Sequence, residues 1–146
     1  MVEFDNAVIK MSYSPDNKII TSIWKKNPVS SQIKEAMEFK ITIAKKHQTG
    51  KLYFDLTNLG SINNDDDVKW LSGFFIPHII SAAGFAKIAN VVPVDVFTKI
   101  PPQEILTTTA RMSFWHFDNK DNALAWLKEE NNQVKDLIKM YPCDLI

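Results

Sequence analysis

Hydrophobic and polar residues alternate near the start of the chain with the period of two that a β-strand requires. Residues 7–13 follow this pattern, and Ile19–Trp24 is a second run, rich in β-branched and aromatic residues. Between them, residues 14–17 read Ser-Pro-Asp-Asn, which is typical of a tight turn because proline pre-sets φ. The pattern predicts an antiparallel β-hairpin.

Two longer segments repeat their apolar residues at the spacing of an α-helix. The first runs from about Ser31 to His47, and one of two adjacent serines is expected to cap its start. The second begins within residues 63–67 and extends to about Ala83, where the following glycine is suited to end it. Each is predicted to lay an apolar side against a sheet.

Three short apolar runs are typical of buried strands, and they span Leu52–Leu56, Lys87–Val92 and Ser113–Phe117. The pair Pro101-Pro102 predicts a short third helix, because proline suits a first helical turn. A last helix is predicted after an Asp-Asn cap, continuing into a C-terminal helix and tail over about residues 128–146.

This order of elements predicts an α/β fold. We expect a single mixed β-sheet, with an N-terminal antiparallel hairpin followed by parallel β-α units, flanked by about four helices. The 146 residues contain neither a repeat nor a Gly/Ser/Pro linker, so residues 1–146 are expected to form one domain.

Composition narrows the classes of partner. The chain has 17 Lys and Arg against 17 Asp and Glu, whereas proteins that bind nucleic acids carry an excess of positive charge. The apolar stretch 73–86 is shorter than the roughly 20 residues of a membrane helix. Cys143 is the only cysteine, and the N-terminus lacks the pattern of a signal peptide. We therefore expect a cytoplasmic protein with no nucleic-acid partner and no membrane span.

Aromatic residues are concentrated in the predicted second helix. Trp70, Phe74, Pro77 and His78 form a candidate surface for a small apolar ligand or a protein partner. Pro77 removes a backbone donor and is expected to kink the helix, opening a cavity lined by Trp70 and Phe74. The favoured alternative is that these side chains are buried in the core or against a second subunit.

No catalytic, cofactor or metal-binding signature accompanies that surface. His47, His78 and His116 lack the spacing of metal ligands, and the 4 glycines do not form a phosphate loop. The run Asp65–Asp67 suggests a cation site or a mimic of phosphoserine, but capping at the positive end of a helix accounts for it. We expect no metal and no cofactor, and an enzyme is the least favoured hypothesis.

Two stretches resemble the STAS domain and its anti-sigma-factor-antagonist-like relatives. Residues 52–59 look like that family's central strand running into the loop before its second helix. Residues 117–127, which include Ala-Leu-Ala-Trp-Leu, are similar to the junction of the last strand and last helix in small bacterial members. The resemblance implies a mixed sheet flanked by helices, with regulatory roles through protein partners or the binding of small or lipid-like ligands.

Partner-switching members of that family carry a phosphorylatable serine at the start of the second helix. The matching place here reads Asn63-Asn64-Asp65, which a serine kinase cannot phosphorylate, and the nearest hydroxyl, on Ser61, lies too early. We therefore expect the phosphorylation switch to be absent. The leading hypothesis is a non-enzymatic interaction module that forms a homodimer. The alternative is a domain that binds a small or lipid-like molecule in a pocket beside the aromatic helix.

Overall fold

Seven strands form one mixed sheet, in the order β1-β2-β3-β4-β5-β7-β6, in the computed structural model, which describes residues 2–59 and 65–129. The strands are β1 (Val2–Asp5), β2 (Ile9–Ser14), β3 (Ile19–Trp24), β4 (Lys51–Asp55), β5 (Ala86–Val91), β6 (Leu106–Thr108) and β7 (Met112–Phe117). The central strands β3, β4, β5 and β7 are parallel, and the outer pairs are antiparallel. The predicted mixed α/β sheet with an N-terminal hairpin is confirmed.

Within the described residues, five α-helical segments and two other helical turns lie between the strands or follow the last of them. They are α1 (Ser30–His47), α2 (Asp65–Trp70), a π-helical turn (Leu71–Phe75), α3 (Ile76–Ala83), α4 (Val94–Phe97), a 3₁₀ turn (Pro102–Glu104) and α5 (Lys120–Lys128). We call α2, the π turn and α3 together the interrupted helix. No helix within residues 2–59 and 65–129 has the length and apolar character that crossing a membrane requires.

The helices divide between the two faces of the sheet. The first helix and the interrupted helix pack on one face, which we call the cavity face, and α5 packs against β4, β5 and β7 on the other, the α5 face. The parallel register aligns Ser22, Phe54, Asn90 and His116 in one row across the cavity face. Because side chains alternate along a strand, their neighbours in sequence lie on the α5 face.

The interrupted helix changes its hydrogen-bond pattern directly before Pro77. The backbone N–H of Ile76 bonds to the carbonyl of Leu71, five residues back, where an α-helix would use four. Pro77 has no N–H, and its ring would collide with the carbonyl of Gly73 in a regular helix. The disturbance expected from the proline therefore takes the form of a π turn. Gly84 ends the helix with φ at 86°, as its position in the sequence predicts.

Several local predictions needed correction. Strands β1 and β6 were not predicted, because both are short edge strands held by pairing with β2 and β7 rather than by an apolar pattern of their own. Val29, not a serine, precedes α1, and its N–H bonds to Oε1 of Gln32 at 2.9 Å. The predicted third helix is only the 3₁₀ turn after Pro101.

The last predicted helix begins as expected. Asn119 caps α5, because its Oδ1 accepts a hydrogen bond from the backbone N–H of Asn122 at 2.9 Å. The described part of the helix ends at Lys128. The predicted continuation over residues 130–146 lies outside the described residues.

Candidate functional site

A cavity of about 490 Å³ lies on the cavity face, between α1, the interrupted helix and the sheet. The strands contribute Trp24, Phe54, Asn90 and His116, all within the last two residues of their strands, and also Phe114 from the middle of β7. The cavity therefore lies at the carboxyl ends of the parallel strands, where ligands commonly bind in open α/β sheets.

The first helix forms one wall because its apolar side faces the sheet. Ile33 and Met37 are one turn apart on that side, both buried, and both line the cavity. Together with Phe54 and Phe114 from the strands, they make this part of the lining entirely apolar.

The π turn of the interrupted helix forms the opposite wall. Leu71 and Ser72, in the first half of the turn, and Ile76, directly after it, line the cavity, and Val68 lies one turn earlier. π turns within α-helices are frequent at functional sites, because the extra residue changes which side chains face the neighbouring structure. The proline that disturbs the helix is thus adjacent to residues that shape the cavity.

A hydrogen-bonded pair supplies most of the polar character of the cavity. The side-chain nitrogen of Asn90 lies 3.1 Å from Nδ1 of His116, the next residue across the sheet. Because an amide nitrogen only donates, Nδ1 accepts, and the neutral ring carries its proton on Nε2. Burial lowers the pKa of His116 below its ordinary value of 6.5, and the carboxylate of Glu104 partly opposes this shift.

Lys40 is a fully buried amine next to the cavity. It lies on α1 one turn beyond Met37, and its Nζ donates to Oγ of Ser22 at 2.7 Å. The same nitrogen lies 3.8 Å from the centre of the Phe54 ring. Burial holds the pKa of Lys40 well below its usual range. Lys40 thus contacts the ring that lines the cavity without lining it.

A wider groove of about 730 Å³ adjoins the cavity on the side of α4 and β6. The two share the side chains of Val68, Ser72, Phe114 and His116. Unlike the cavity, the groove has charged residues in its lining, Lys99 and Glu104 among them. His116 therefore stands where an apolar enclosure meets a more polar surface.

The aromatic residues chosen from the sequence lie together on another side of the interrupted helix. The ring centres of Trp70 and Phe74 are 5.0 Å apart, and those of Phe74 and His78 are 4.2 Å apart. Phe74 is 37% exposed, and Pro77 is exposed. Neither Trp70 nor Phe74 lines the 490 Å³ cavity, which is lined instead by other residues of the same helix. Their role as a ligand or partner surface stays a prediction.

The remaining predicted positions give little chemistry. Asn63 and Asn64 lie outside the described residues, and Asp65 begins α2, where the carboxylate run was expected to start a helix. Within the described residues, no group of three or more His, Cys, Asp or Glu side chains is placed to hold a metal ion.

Three groups that could take part in acid–base catalysis, Asp55, His78 and His116, are not brought together. Asp55 accepts hydrogen bonds from the backbone N–H and the hydroxyl of Thr57, at 2.9 and 2.6 Å. Asp55 alternates onto the face of Tyr53, whereas His116 lies on the cavity face. Burial raises the pKa of Tyr53, and the charge of Asp55 raises it further. His78 is on the outer side of the interrupted helix, where Nδ1 lies 2.7 Å from the carbonyl of Phe74.

Comparison with known proteins does not assign the chain to a family. No protein-family model matches the chain, and neither a curated protein nor a solved structure matches it. The resemblance to the STAS domain therefore stays a prediction, and the geometry of the cavity is the basis for a function.

Proposed function

We propose that the protein binds a small, mostly apolar molecule in the cavity at the carboxyl ends of the parallel strands. One observation carries the proposal. The cavity has a volume of about 490 Å³, and its described lining is apolar apart from Ser72, Asn90 and His116. A concave site of this size, with a few polar groups in an apolar wall, is typical of small-molecule binding.

The physical basis of affinity is the apolar wall. Uncovered apolar surface costs about 25 cal/mol per Å² relative to buried surface, so a ligand that covers this wall recovers that free energy. The wall is also largely formed in advance, since Ile33 and Met37 are already buried and Phe54 is held by its contact with Lys40. A preformed site loses little affinity to the ordering of side chains.

The test uses the neutral fluorescent probe N-phenyl-1-naphthylamine, which brightens in apolar surroundings and is excited directly. We expect saturable binding to the wild type. Ser72→Trp is expected to abolish it, because the indole fills the cavity from the π turn. The matched control is Ser81→Trp, at an exposed position of α3 away from the cavity, which should bind like the wild type. Absent binding to the wild type, or equal binding by the two variants, would contradict the proposal.

A second function, a protein-interaction module resembling STAS domains and acting as a homodimer, is supported by a different surface. Trp70, Phe74 and His78 form a continuous aromatic strip along the interrupted helix, in which Phe74 is exposed and Trp70 also packs against the core. Sedimentation equilibrium at tens of micromolar is expected to show a dimer that Phe74→Ser weakens. A strict monomer removes the dimer from this proposal. A reducing, cytoplasmic location fits either function, because a single cysteine allows no internal disulfide.

A further inference from the structure

The pair formed by Asn90 and His116 leaves two atoms of opposite hydrogen-bonding character. Asn90 uses its amide nitrogen toward Nδ1 of His116, so its Oδ1 remains an acceptor and Nε2–H of the histidine remains a donor. Neither atom has a hydrogen-bond partner within the described residues. The two side chains are adjacent in register and both line the cavity, so the free donor and the free acceptor belong to one site.

The geometry points to a ligand whose apolar body carries a neutral head group with a donor and an acceptor side by side, as in a primary carboxamide. The inference rests on the proposed binding of an apolar molecule in the cavity and specifies its head group. The amide oxygen of the ligand accepts from Nε2–H of His116, and its NH₂ donates to Oδ1 of Asn90. The apolar body then extends toward Ile33 and Met37 on α1.

A ligand with an ionised head group is expected to bind less tightly than one with a neutral head group. The described lining of the cavity contains neither Lys, Arg, Asp nor Glu, so a carboxylate loses its hydration there without gaining a counter-charge. In the adjoining groove, which is lined by both Lys99 and Glu104, the charge that acts on His116 is that of Glu104, which is also negative. Lys40 does not line the cavity, and its amine is directed to Ser22. His116 is neutral, because burial lowers its pKa.

The experiment compares three competitors of similar length for their power to displace N-phenyl-1-naphthylamine at about pH 8. They are octanamide, octanoate and 2-nonanone, which offers only an acceptor. We expect octanamide to bind about tenfold more tightly than octanoate, and more tightly than the ketone, because only the amide satisfies both free groups.

Two variants test whether Asn90 and His116 cause the preference for octanamide. His116→Phe keeps a ring of similar size, and Asn90→Leu keeps the shape of the amide, but each removes one free hydrogen-bonding group. Both are expected to bring octanamide down to the level of the ketone, when each competitor's affinity is expressed relative to the same variant's own affinity for the probe. His78→Phe makes the same chemical change outside the cavity and should leave all affinities unchanged.

The outcomes separate this inference from the proposed function. If the wild type does not bind the probe, the cavity proposal itself fails. If the probe binds but octanamide and octanoate compete equally, or the preference survives in both variants, the head-group inference is overturned. If circular dichroism shows that either variant does not fold, the inference is tested instead on the Nε2–H proton of His116 in the wild type. Its NMR resonance is expected to shift with octanamide, and an unmoved resonance overturns the inference.

Discussion

The two faces of the sheet are built from alternate residues of the same strands but are covered to different degrees. On β7, Trp115 and Phe117 are 5% and 8% exposed on the α5 face, whereas Phe114 and His116, on the cavity face, are only half-buried. The centres of the Trp115 and Trp126 rings are 5.4 Å apart, in edge contact. The α5 face is packed like a core, and the cavity face retains room for a ligand. On this strand, one side is packed for stability, and the other side borders the cavity proposed to bind a ligand.

The two buried lysines show the same difference. On the α5 face, Lys87 donates to the carbonyls of Trp126 and Glu129, at 2.6 and 3.1 Å, and so satisfies the C-terminal end of α5. Burial lowers the pKa of Lys87 to about 8. On the cavity face, Lys40 donates to one hydroxyl and lies over the ring of Phe54. Lys87 thus satisfies the carbonyls at a helix end. The burial of Lys40 costs free energy that no hydrogen bonds to a helix end offset.

The largest expected effect is on the packed face. Trp126→Ala should lower the free energy of unfolding by about 3–5 kcal/mol, because the indole is fully buried and leaves a large cavity. The partner variant Phe114→Ala should cost less than half as much, because this half-buried ring borders an existing void. Urea unfolding of both variants measures the difference. Equal losses would remove the contrast between the two faces.

The lysines are expected to respond with opposite signs. Lys87→Met should destabilise the protein by about 1–3 kcal/mol, because the carbonyls at the end of α5 lose a buried donor. Lys40→Met should stabilise it by about 1 kcal/mol or more, because an apolar chain of similar length replaces a buried amine that has a hydroxyl partner but no counter-charge among the described residues. Thermal unfolding at pH 7 distinguishes the signs. A stabilising Lys87→Met or a destabilising Lys40→Met would contradict this account of the two lysines.

Pro77→Ala tests the link between the proline and the cavity wall. Without the proline, the interrupted helix can return to regular α-helical bonding, which moves Leu71 and Ser72 out of the cavity lining. We expect probe affinity to fall several-fold, about 1 kcal/mol, with little loss of stability, because Pro77 is exposed. Unchanged affinity in the same fluorescence titration would show that the π turn does not shape the cavity.

The smallest effect concerns pH. Because the pKa of His116 is lowered in the folded state, the unfolded chain takes up a proton first as the pH falls below the ordinary value of 6.5. Stability should therefore decrease on acidification from above 6.5 toward the lowered pKa, and this part of the loss should be missing in His116→Phe. Urea unfolding at about pH 7.5 and 5 measures it. If the wild type and His116→Phe lost the same stability between these two pH values, that result would contradict the burial of His116 in its neutral form.

The fold could largely be predicted from patterns along the chain, because its central elements carry strong periodicity. Strand Ile19–Trp24 and the stop of the interrupted helix at Gly84 match the prediction. The edge strands were missed because pairing with a neighbour, rather than their own sequence, holds them in the sheet.

The site was harder to predict, because it depends on register between strands far apart in sequence. Asn90 stands in an apolar run, and nothing along the chain shows that it pairs with His116. Helical periodicity accounts for the burial of Met37 and Ile41 on α1 but not for that of Lys40, which depends on the hydroxyl of Ser22 on β3. The aromatic residues chosen from the sequence lie on the helix that borders the cavity, but other residues of that helix line it.

The most direct test of the central claim is to locate the bound probe by methyl NMR. Protein labelled with [¹³C-methyl]methionine is titrated with N-phenyl-1-naphthylamine. Met37 lines the cavity, whereas Met11 is fully buried elsewhere in the same core, so it is an internal control. A large ring-current shift of the Met37 methyl resonance with an unmoved Met11 resonance is the predicted result. Saturable probe binding that leaves the Met37 resonance unmoved would contradict the cavity as the binding site.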